Sequence, residues 1–362
     1  MIRSKPKRSG FTLVELMISA AITVIIMTIL SICFQTSMSA MSAMRAQGDA
    51  ADQLRAVGEV MKRDIKADHF LPAESATAVA NNGRRLSDYD FRGAAQASSG
   101  FFYIRSPASF NEGNDGVFDS YRSDLPGGPA LWFTSVLAGG TEGNLYTASV
   151  GGNIVSSEAA EVAYFLVPTG QGTSGPAGLP TFHLIRRQRL IASNSAIGSN
   201  LQLAVNSGLS GLDLNVREVI STYPVIGPPA QTIVNTMGTI AYAANRPAFP
   251  GLLSSPRTGD DIIISNVISF EVKPTWQPRG GLPFIPGPRV FGNSFPGVDV
   301  AFTPAANTAS SDAPYDTLSA FAGNTFDTIT PLPIRINAVQ IRLRIYDPKV
   351  KTARQLTIIN DL

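Results

Sequence analysis

The sequence predicts an α+β protein: one long N-terminal helix packed on an antiparallel β-sheet, with long loops rich in proline and glycine. Three observations support this prediction. An uncharged run at residues 16–34 continues into a segment whose apolar residues recur at helical spacing. Later segments alternate apolar and polar side chains, as strands do. The 32 glycines and 25 prolines among 362 residues indicate many turns and loops rather than a helical bundle.

The predicted helix begins with a membrane-spanning half. Its transmembrane part covers about residues 13–34, which is about the length of a helix that crosses a bilayer. The leader before it, residues 1–10, holds Arg3, Lys5, Lys7 and Arg8, and without their charges the formal net charge changes from +2 to −2. Because basic residues stay on the cytoplasmic side of a membrane, the chain beyond the span is predicted to lie in the periplasm.

An amphipathic half follows, so that the whole helix is predicted to cover residues 11–70. Pro72 is the first proline after the leader and predicts the end of the helix. The apolar stripe of this half is predicted to pack on the apolar face of the sheet. Its positions, spaced by three and four residues, are Met41, Met44, Gly48, Ala51, Leu54, Val57, Met61 and Ile65.

Glu15 lies just inside the apolar run, where an unpaired carboxylate is costly. No basic side chain follows it before Arg45, which is far along the helix. The sequence therefore predicts that Glu15 finds its partner in a leader residue, in another molecule or in a newly created N-terminus.

The residues around Glu15 resemble the class III signal of type IV prepilins and of type II secretion pseudopilins. That signal has a short basic leader, a glycine, the pattern FTLxE and a long apolar helix. The resemblance implies that prepilin peptidase cleaves between Gly10 and Phe11 and N-methylates Phe11. It also implies that Glu15 pairs with the α-amino group of a neighbouring subunit during assembly. The matching residues are the leader bases Lys5, Lys7 and Arg8 and the segment Gly10, Phe11, Thr12, Leu13, Val14 and Glu15.

Two other interpretations of the N-terminus stay open at this point. A conventional secretory signal would be cleaved after a small residue such as Ala40 or Ala43, but its apolar run is shorter than this one, and it gives Glu15 no role. A plain, uncleaved membrane anchor is the other interpretation.

Strand-like runs separated by turn-forming segments predict the sheet. In the last run Val339, Ile341 and Leu343 face one way, whereas Ile334 and Ile336 alternate in the other phase, which predicts a bulge near Ala338. The predicted strands are residues 101–105, 131–136, 161–167, 181–191, 261–273 and 337–347.

Several of these runs are similar to J-type minor pseudopilins of type II secretion and to the related W-type minor pilins. The similar segments are residues 161–168, 181–191, 265–273 and 339–347. The resemblance implies a hairpin and a final strand on a pilin sheet. The chain is longer than these proteins, with insertions at residues 93–129 and 274–333, and the second insertion is predicted to be an irregular loop.

The composition and the remaining motifs predict no catalytic, cofactor or metal chemistry. Cys33 is the single cysteine, so no thiolate metal site is expected. The G-x-G-x-x-G pattern at residues 170–175 is followed by Pro176 and Pro180, which exclude the helix that a dinucleotide site requires. A solvated turn, rather than a calcium site, is predicted for Asn114, Asp115, Asp119 and Asp124.

Arginines on two predicted strands suggest two interpretations. We interpret them as the solvent-facing side of the strands, and a basic face that binds nucleic acid is the alternative. The formal net charge of +2 is too balanced for a protein that neutralises many phosphates, so no nucleic-acid partner is expected. The arginines are Arg186, Arg187, Arg189, Arg342 and Arg344.

The domain prediction follows: leader 1–10, helix 11–70 and a periplasmic β-rich head at 71–362. The resemblance implies a non-catalytic minor pilin or pseudopilin, single-pass in the inner membrane, whose partners are prepilin peptidase and other pilin or pseudopilin subunits. A membrane-tethered binding protein or adhesin with a pilin-type anchor is the alternative.

Overall fold

The computed structural model describes residues 12–70, 100–104, 130–137, 145–150, 153–169, 181–209, 219–225, 231–242, 245–246, 260–278, 315–316, 334–348 and 351–361. The chain divides into two compact units, Met1–Asp52 and Gln53–Leu362. The first unit contains most of the long helix. The second contains the end of that helix and the β-rich part.

Helix α1 extends without a break over Leu13–Lys66, so the prediction of one continuous helix is confirmed. It ends before Pro72, and the ring nitrogen Nε2 of His69 lies 2.9 Å from the Ile65 carbonyl oxygen in its last turn. Its basic last turn, with Arg63 and Lys66, suits the negative end of the helix dipole.

One antiparallel sheet of eight strands dominates the described part of the second unit. Its spatial order is β10-β1-β2-β5-β6-β9-β11-β12, and separate pairs form β3-β4 and β7-β8. In chain order the strands are β1 (Phe102–Ile104), β2 (Leu131–Val136), β3 (Tyr146–Val150), β4 (Asn153–Ser157), β5 (Ala159–Pro168), β6 (Phe182–Ile191), β7 (Thr222–Val225), β8 (Gln231–Val234), β9 (Asp260–Pro278), β10 (Tyr315–Asp316), β11 (Ile334–Asp347) and β12 (Thr352–Asp361).

The predicted strands all coincide with observed ones, with shifted ends in most cases. In β11 the register against β9 changes between Ile336 and Ala338, which confirms the predicted bulge. Val339, Ile341 and Leu343 are buried as predicted. The prediction of a loop at 274–333 is wrong at its start, because β9 continues through Pro278, and within it, because Tyr315–Asp316 pairs with β1.

The central strands are covered on both faces. Leu54, Val57, Met61 and Ile65 of α1 are buried on one side of the sheet. On the other side, Phe101, Trp132 and Phe165 pack in a cluster with residues of a short helix, Met237–Ala241. This double cover explains why every residue of β2 is buried rather than every second one.

A second apolar cluster joins the small strand pairs to helix α2 (Ser195–Leu209). Eight elements were not predicted from the sequence: α2, β3, β4, β7, β8, β10, β12 and the short helix, which we number α3. Asn194 begins α2 by accepting a hydrogen bond from the Ile197 amide at 2.9 Å. Thr236 and Thr239 form a capping box at the start of α3. The buried members of the cluster include Leu190, Leu201, Val205, Ile220 and Val234.

Candidate functional site

The first turn of α1 contains a reciprocal hydrogen-bond pair. The Thr12 amide and the Thr12 hydroxyl each donate to Glu15 Oε2 at 3.0 Å, and the Glu15 amide donates to Thr12 Oγ1 at 3.3 Å. This is a capping box, in which side chains satisfy amides that have no partner within the helix. The positive end of the helix dipole also favours a carboxylate here.

Glu15 therefore has a polar partner within its own chain, which the sequence analysis did not predict. The signal was present, because a threonine followed three residues later by a glutamate before an apolar run is the pattern of a capping box. The carboxylate is nevertheless exposed, and it accepts these bonds at the chain's surface. It is chemically able to accept a further donor, such as an ammonium group from another molecule.

An uncovered apolar surface lies on both sides of Glu15 along α1 and extends to Phe34. Every large apolar side chain named below is more than half exposed, from 51% at Ile22 to 77% at Leu13. In the described part of the chain, α1 is the one helix that is long and apolar enough to cross a membrane. Such a surface is stable when lipid or other apolar helices cover it. The residues are Leu13, Val14, Leu16, Met17, Ile18, Ile22, Val24, Ile25, Ile26, Met27, Ile29, Leu30, Ile32 and Phe34.

The amphipathic stripe is only partly covered within this chain. Met41 and Met44 are 51% and 73% exposed, whereas burial begins at Leu54. Where the stripe is buried, it packs closely on the sheet: a Cβ built at Gly58 lies 3.2 Å from Leu356 Cδ2 of β12. The predicted packing of helix on sheet is therefore confirmed for the last turns of α1.

A buried ion pair fixes the end of α1 to the sheet. Asp64 Oδ2 accepts a hydrogen bond from Arg186 Nε of β6 and another from the Tyr164 hydroxyl of β5, both at 2.6 Å. The Asp64 and Arg186 side chains are 3% and 7% exposed. Burial raises the pKa of the Tyr164 hydroxyl, and so does the Asp64 charge, so Tyr164 acts as a donor.

The strand arginines are buried, so the prediction of a solvent-facing row is wrong for Arg186, Arg187 and Arg189. Arg187 Nη2 donates to Asp260 Oδ2 at 2.7 Å, and Arg189 Nη1 donates to Glu161 Oε1 at 3.0 Å. The nucleic-acid alternative fails for the same three residues, since a buried guanidinium cannot contact phosphates.

The two arginines of β11 differ from those of β6 in exposure. Arg342 Nη1 lies 3.2 Å from Glu271 Oε2 of β9, and the Arg342 side chain is 28% exposed. Arg344 is half-buried on the same strand.

Burial and pairing act in opposite directions on the Glu161 carboxyl. Burial raises its pKa, and the charge and the hydrogen bond of Arg189 partly offset that rise. The Ser221 hydroxyl adds a further hydrogen bond to Glu161 at 3.2 Å.

The other predicted positions are distributed as follows. Gly10, Phe11 and the leader bases Lys5, Lys7 and Arg8 lie outside the described residues, as do the pattern at 170–175 and the acidic segment 114–124. Cys33 is exposed on α1. Among the described residues, no group of three or more metal-ligating side chains comes together.

Comparison with known protein families gives a match at the N-terminus. Residues 5–31 match the family model described as the prokaryotic N-terminal methylation motif. With the long apolar helix that begins inside the matched segment, this is consistent with a type IV pilin-like protein. No curated protein and no solved structure matches the chain significantly.

Proposed function

We propose that this chain is a non-catalytic structural subunit, a minor pilin or pseudopilin, that assembles through its N-terminal helix into a type IV pilus or a type II secretion pseudopilus. The observation that carries the proposal is the methylation motif at residues 5–31, at the start of a helix whose apolar side chains are uncovered. Prepilin peptidase cleaves the chain between Gly10 and Phe11 and methylates Phe11.

Before assembly, the subunit is a single-pass protein of the inner membrane. Its basic leader is cytoplasmic, and its β-rich head is periplasmic, as the distribution of basic residues favours. Other pilin or pseudopilin subunits then replace lipid on the apolar surface of α1. The two long insertions, at 93–129 and 274–333, favour a minor role, because a large irregular head packs poorly as the repeating unit of a long fibre.

Charge pairing gives the assembly its register. Cleavage creates an ammonium group at Phe11, which is a positive charge at membrane depth. The Glu15 carboxylate of a neighbouring subunit neutralises it, and two charges at that depth are much less costly as a pair than alone.

The N-terminus of the membrane-extracted protein tests the processing step. We expect mass spectrometry to find a mature chain that begins at N-methyl-Phe11. A chain that begins just after Ala40 or Ala43 would indicate a conventional secretory signal. A chain that keeps its leader in the working form would also contradict the proposal.

Variants of Glu15 test the assembly step. Glu15→Gln keeps a side chain that can complete the capping box with Thr12 but removes the charge, and Glu15→Ala removes both. We expect both variants to be cleaved and to be lost from the sheared fibre fraction. Glu59→Ala is the matched control, because Glu59 is an exposed acid of the same helix that pairs with Lys62 at the surface. Normal assembly of Glu15→Gln would contradict charge pairing.

The adhesin alternative makes a different prediction for the second insertion. Deleting residues 279–314 spares β9, which ends at Pro278, and β10, which begins at Tyr315. If this deletion abolishes binding to a surface while Glu15→Gln, although absent from the fibre fraction, still binds that surface, then the chain is a tethered binding protein rather than a fibre subunit.

A further inference from the structure

Three methionines lie on α1 just beyond its apolar surface. They stand three residues apart, and their side chains are 54%, 51% and 73% exposed in chain order. Because an α-helix rises about 1.5 Å per residue, they lie roughly 6 to 15 Å beyond Phe34 along the helix axis. The residues are Met38, Met41 and Met44, and we call them the methionine segment.

The other methionines of the described structure lie in two different environments. Met17 and Met27 are exposed as well, but they belong to the uncharged run, which lipid covers in the proposed membrane-bound state. Met61 and Met237 are 0% and 3% exposed in the second unit. Among the described residues, the methionine segment therefore carries the thioether groups that water reaches.

A thioether that is exposed to water reacts with hydroperoxides, which an aliphatic side chain does not. The sulfur lone pair attacks one peroxide oxygen, so that the sulfur–oxygen bond forms and the oxygen–oxygen bond breaks. The hydroxyl proton passes to the leaving oxygen, which departs as water or an alcohol. The sulfur loses two electrons and the hydroperoxide gains them. The product, methionine sulfoxide, carries a polar S=O group in place of a soft apolar one.

An added S=O group changes how α1 packs against a neighbouring helix. Helix α1 is unbroken over Leu13–Lys66, so a straight helix that covers it as far as Phe34 continues beside the methionine segment in the next three turns. An apolar helix face offers no N–H group to a sulfoxide oxygen. Burying that oxygen without a donor is costly, whereas burying the unoxidised thioether is favourable.

We propose that the methionine segment is a site of sulfoxide formation by hydroperoxides and that this oxidation excludes the subunit from assembly. The second half of the inference rests on the proposed function, because an assembling subunit receives a neighbouring helix at this surface. Before assembly the segment lies just outside the bilayer, where a water-soluble oxidant reaches it. A neighbouring helix then covers the sulfurs, so the sensitive form is the unassembled subunit.

Oxidation of isolated membranes that contain the full chain tests the first half of the inference. After timed exposure to hydrogen peroxide, mass spectrometry of protease fragments measures the sulfoxide at each methionine. We expect the methionine segment to be oxidised at least about tenfold faster than Met61 and Met237, whose sulfurs react only when the packed head opens. Equal rates at all five residues would overturn the inference and would leave the proposed function unaffected.

A triple variant tests the consequence for assembly in peroxide-treated cells. Combining Met38→Leu, Met41→Leu and Met44→Leu keeps an apolar surface of similar volume but removes the sulfurs. We expect peroxide to deplete the wild-type chain from the sheared fibre fraction about tenfold, which corresponds to about 1.4 kcal/mol, within the cost of burying an unpaired polar group. The triple variant is expected to stay in that fraction.

Met61→Leu is the matched control, because it removes a buried sulfur and is expected to leave the chain as sensitive to peroxide as the wild type. Equal depletion of the wild type and the triple variant would overturn the inference. Absence of the untreated wild type from the fibre fraction would instead overturn the proposed function, and with it the consequence for assembly. The sulfoxide rates in isolated membranes would then still decide the first half.

Discussion

Replacing Asp64 by alanine removes one partner of a buried ion pair and leaves the other in place. Arg186 is 7% exposed at its side chain, and it donates to Asp64 Oδ2 at 2.6 Å. Tyr164 donates to the same oxygen. In Asp64→Ala the guanidinium of Arg186 keeps its charge. Its remaining acidic neighbour in the described structure is Asp261, whose Oδ2 lies 3.9 Å from Arg186 Nη1 and whose side chain is largely exposed.

The expected loss of stability is large because the remaining charge stays buried. Removing one partner of a buried pair costs about 3–5 kcal/mol in other proteins. Most of that loss is the penalty of an uncompensated charge, not the net value of the pair. Replacing both residues by apolar ones of similar volume, as in Asp64→Leu with Arg186→Met, is therefore expected to recover most of the loss.

Urea denaturation of the detergent-solubilised chain, followed by tryptophan fluorescence, measures the effect. Trp132 is a suitable reporter because it is buried in the sheet. The control is Lys62→Ala, which breaks the exposed pair with Glu59 and is expected to cost less than about 1 kcal/mol. If Asp64→Ala also costs less than about 1 kcal/mol, or if the double variant is less stable than the single one, the reasoning is refuted.

Three glycine substitutions test the packing around α1. Gly58→Leu is expected to destabilise the second unit by about 1–3 kcal/mol, because even a Cβ there lies 3.2 Å from Leu356. A Cβ at Gly48 would have no atom within 4 Å. Gly48→Ala is therefore expected to raise helix stability by up to about 1 kcal/mol, measured by circular dichroism during urea unfolding. Gly100→Ala is expected to lower the free energy of unfolding by about 1–3 kcal/mol. The φ angle of Gly100 is +139°, which strains an alanine backbone, and the added Cβ would lie 2.5 Å from the carbonyl oxygen of His69. Near-wild-type stability of Gly58→Leu or Gly100→Ala would contradict the packing described.

The long helix and most strands of the large sheet could be predicted because each has a strong local pattern. The uncharged run at residues 16–34 and the apolar residues spaced by three and four predict α1. The alternation of apolar and polar residues predicts β11, including its bulge. The pairs β3-β4 and β7-β8 were missed because they are short and lie among turn-forming residues. Helix α2 was missed because it has no charged residue to mark its ends or its exposed face.

The buried arginines show where local pattern fails. Neighbouring residues on a strand face opposite sides of a sheet, so Arg186 and Arg187 cannot both face solvent when only one side is open. That argument was available from the sequence. Their partners were not, because Asp64 and Asp260 are distant along the chain and the tertiary fold brings them together.

The bonds between Thr12 and Glu15 have a consequence for a chain that has not yet found its neighbours. A carboxylate that already accepts two hydrogen bonds is cheaper to keep in lipid than a bare one. In the proposed membrane-bound state, these bonds lower the cost of the carboxylate before a neighbouring subunit binds. In the proposed assembly, an incoming amine therefore meets a carboxylate that Thr12 has already oriented and that can still accept a further donor, which favours an amine that arrives in the matching position.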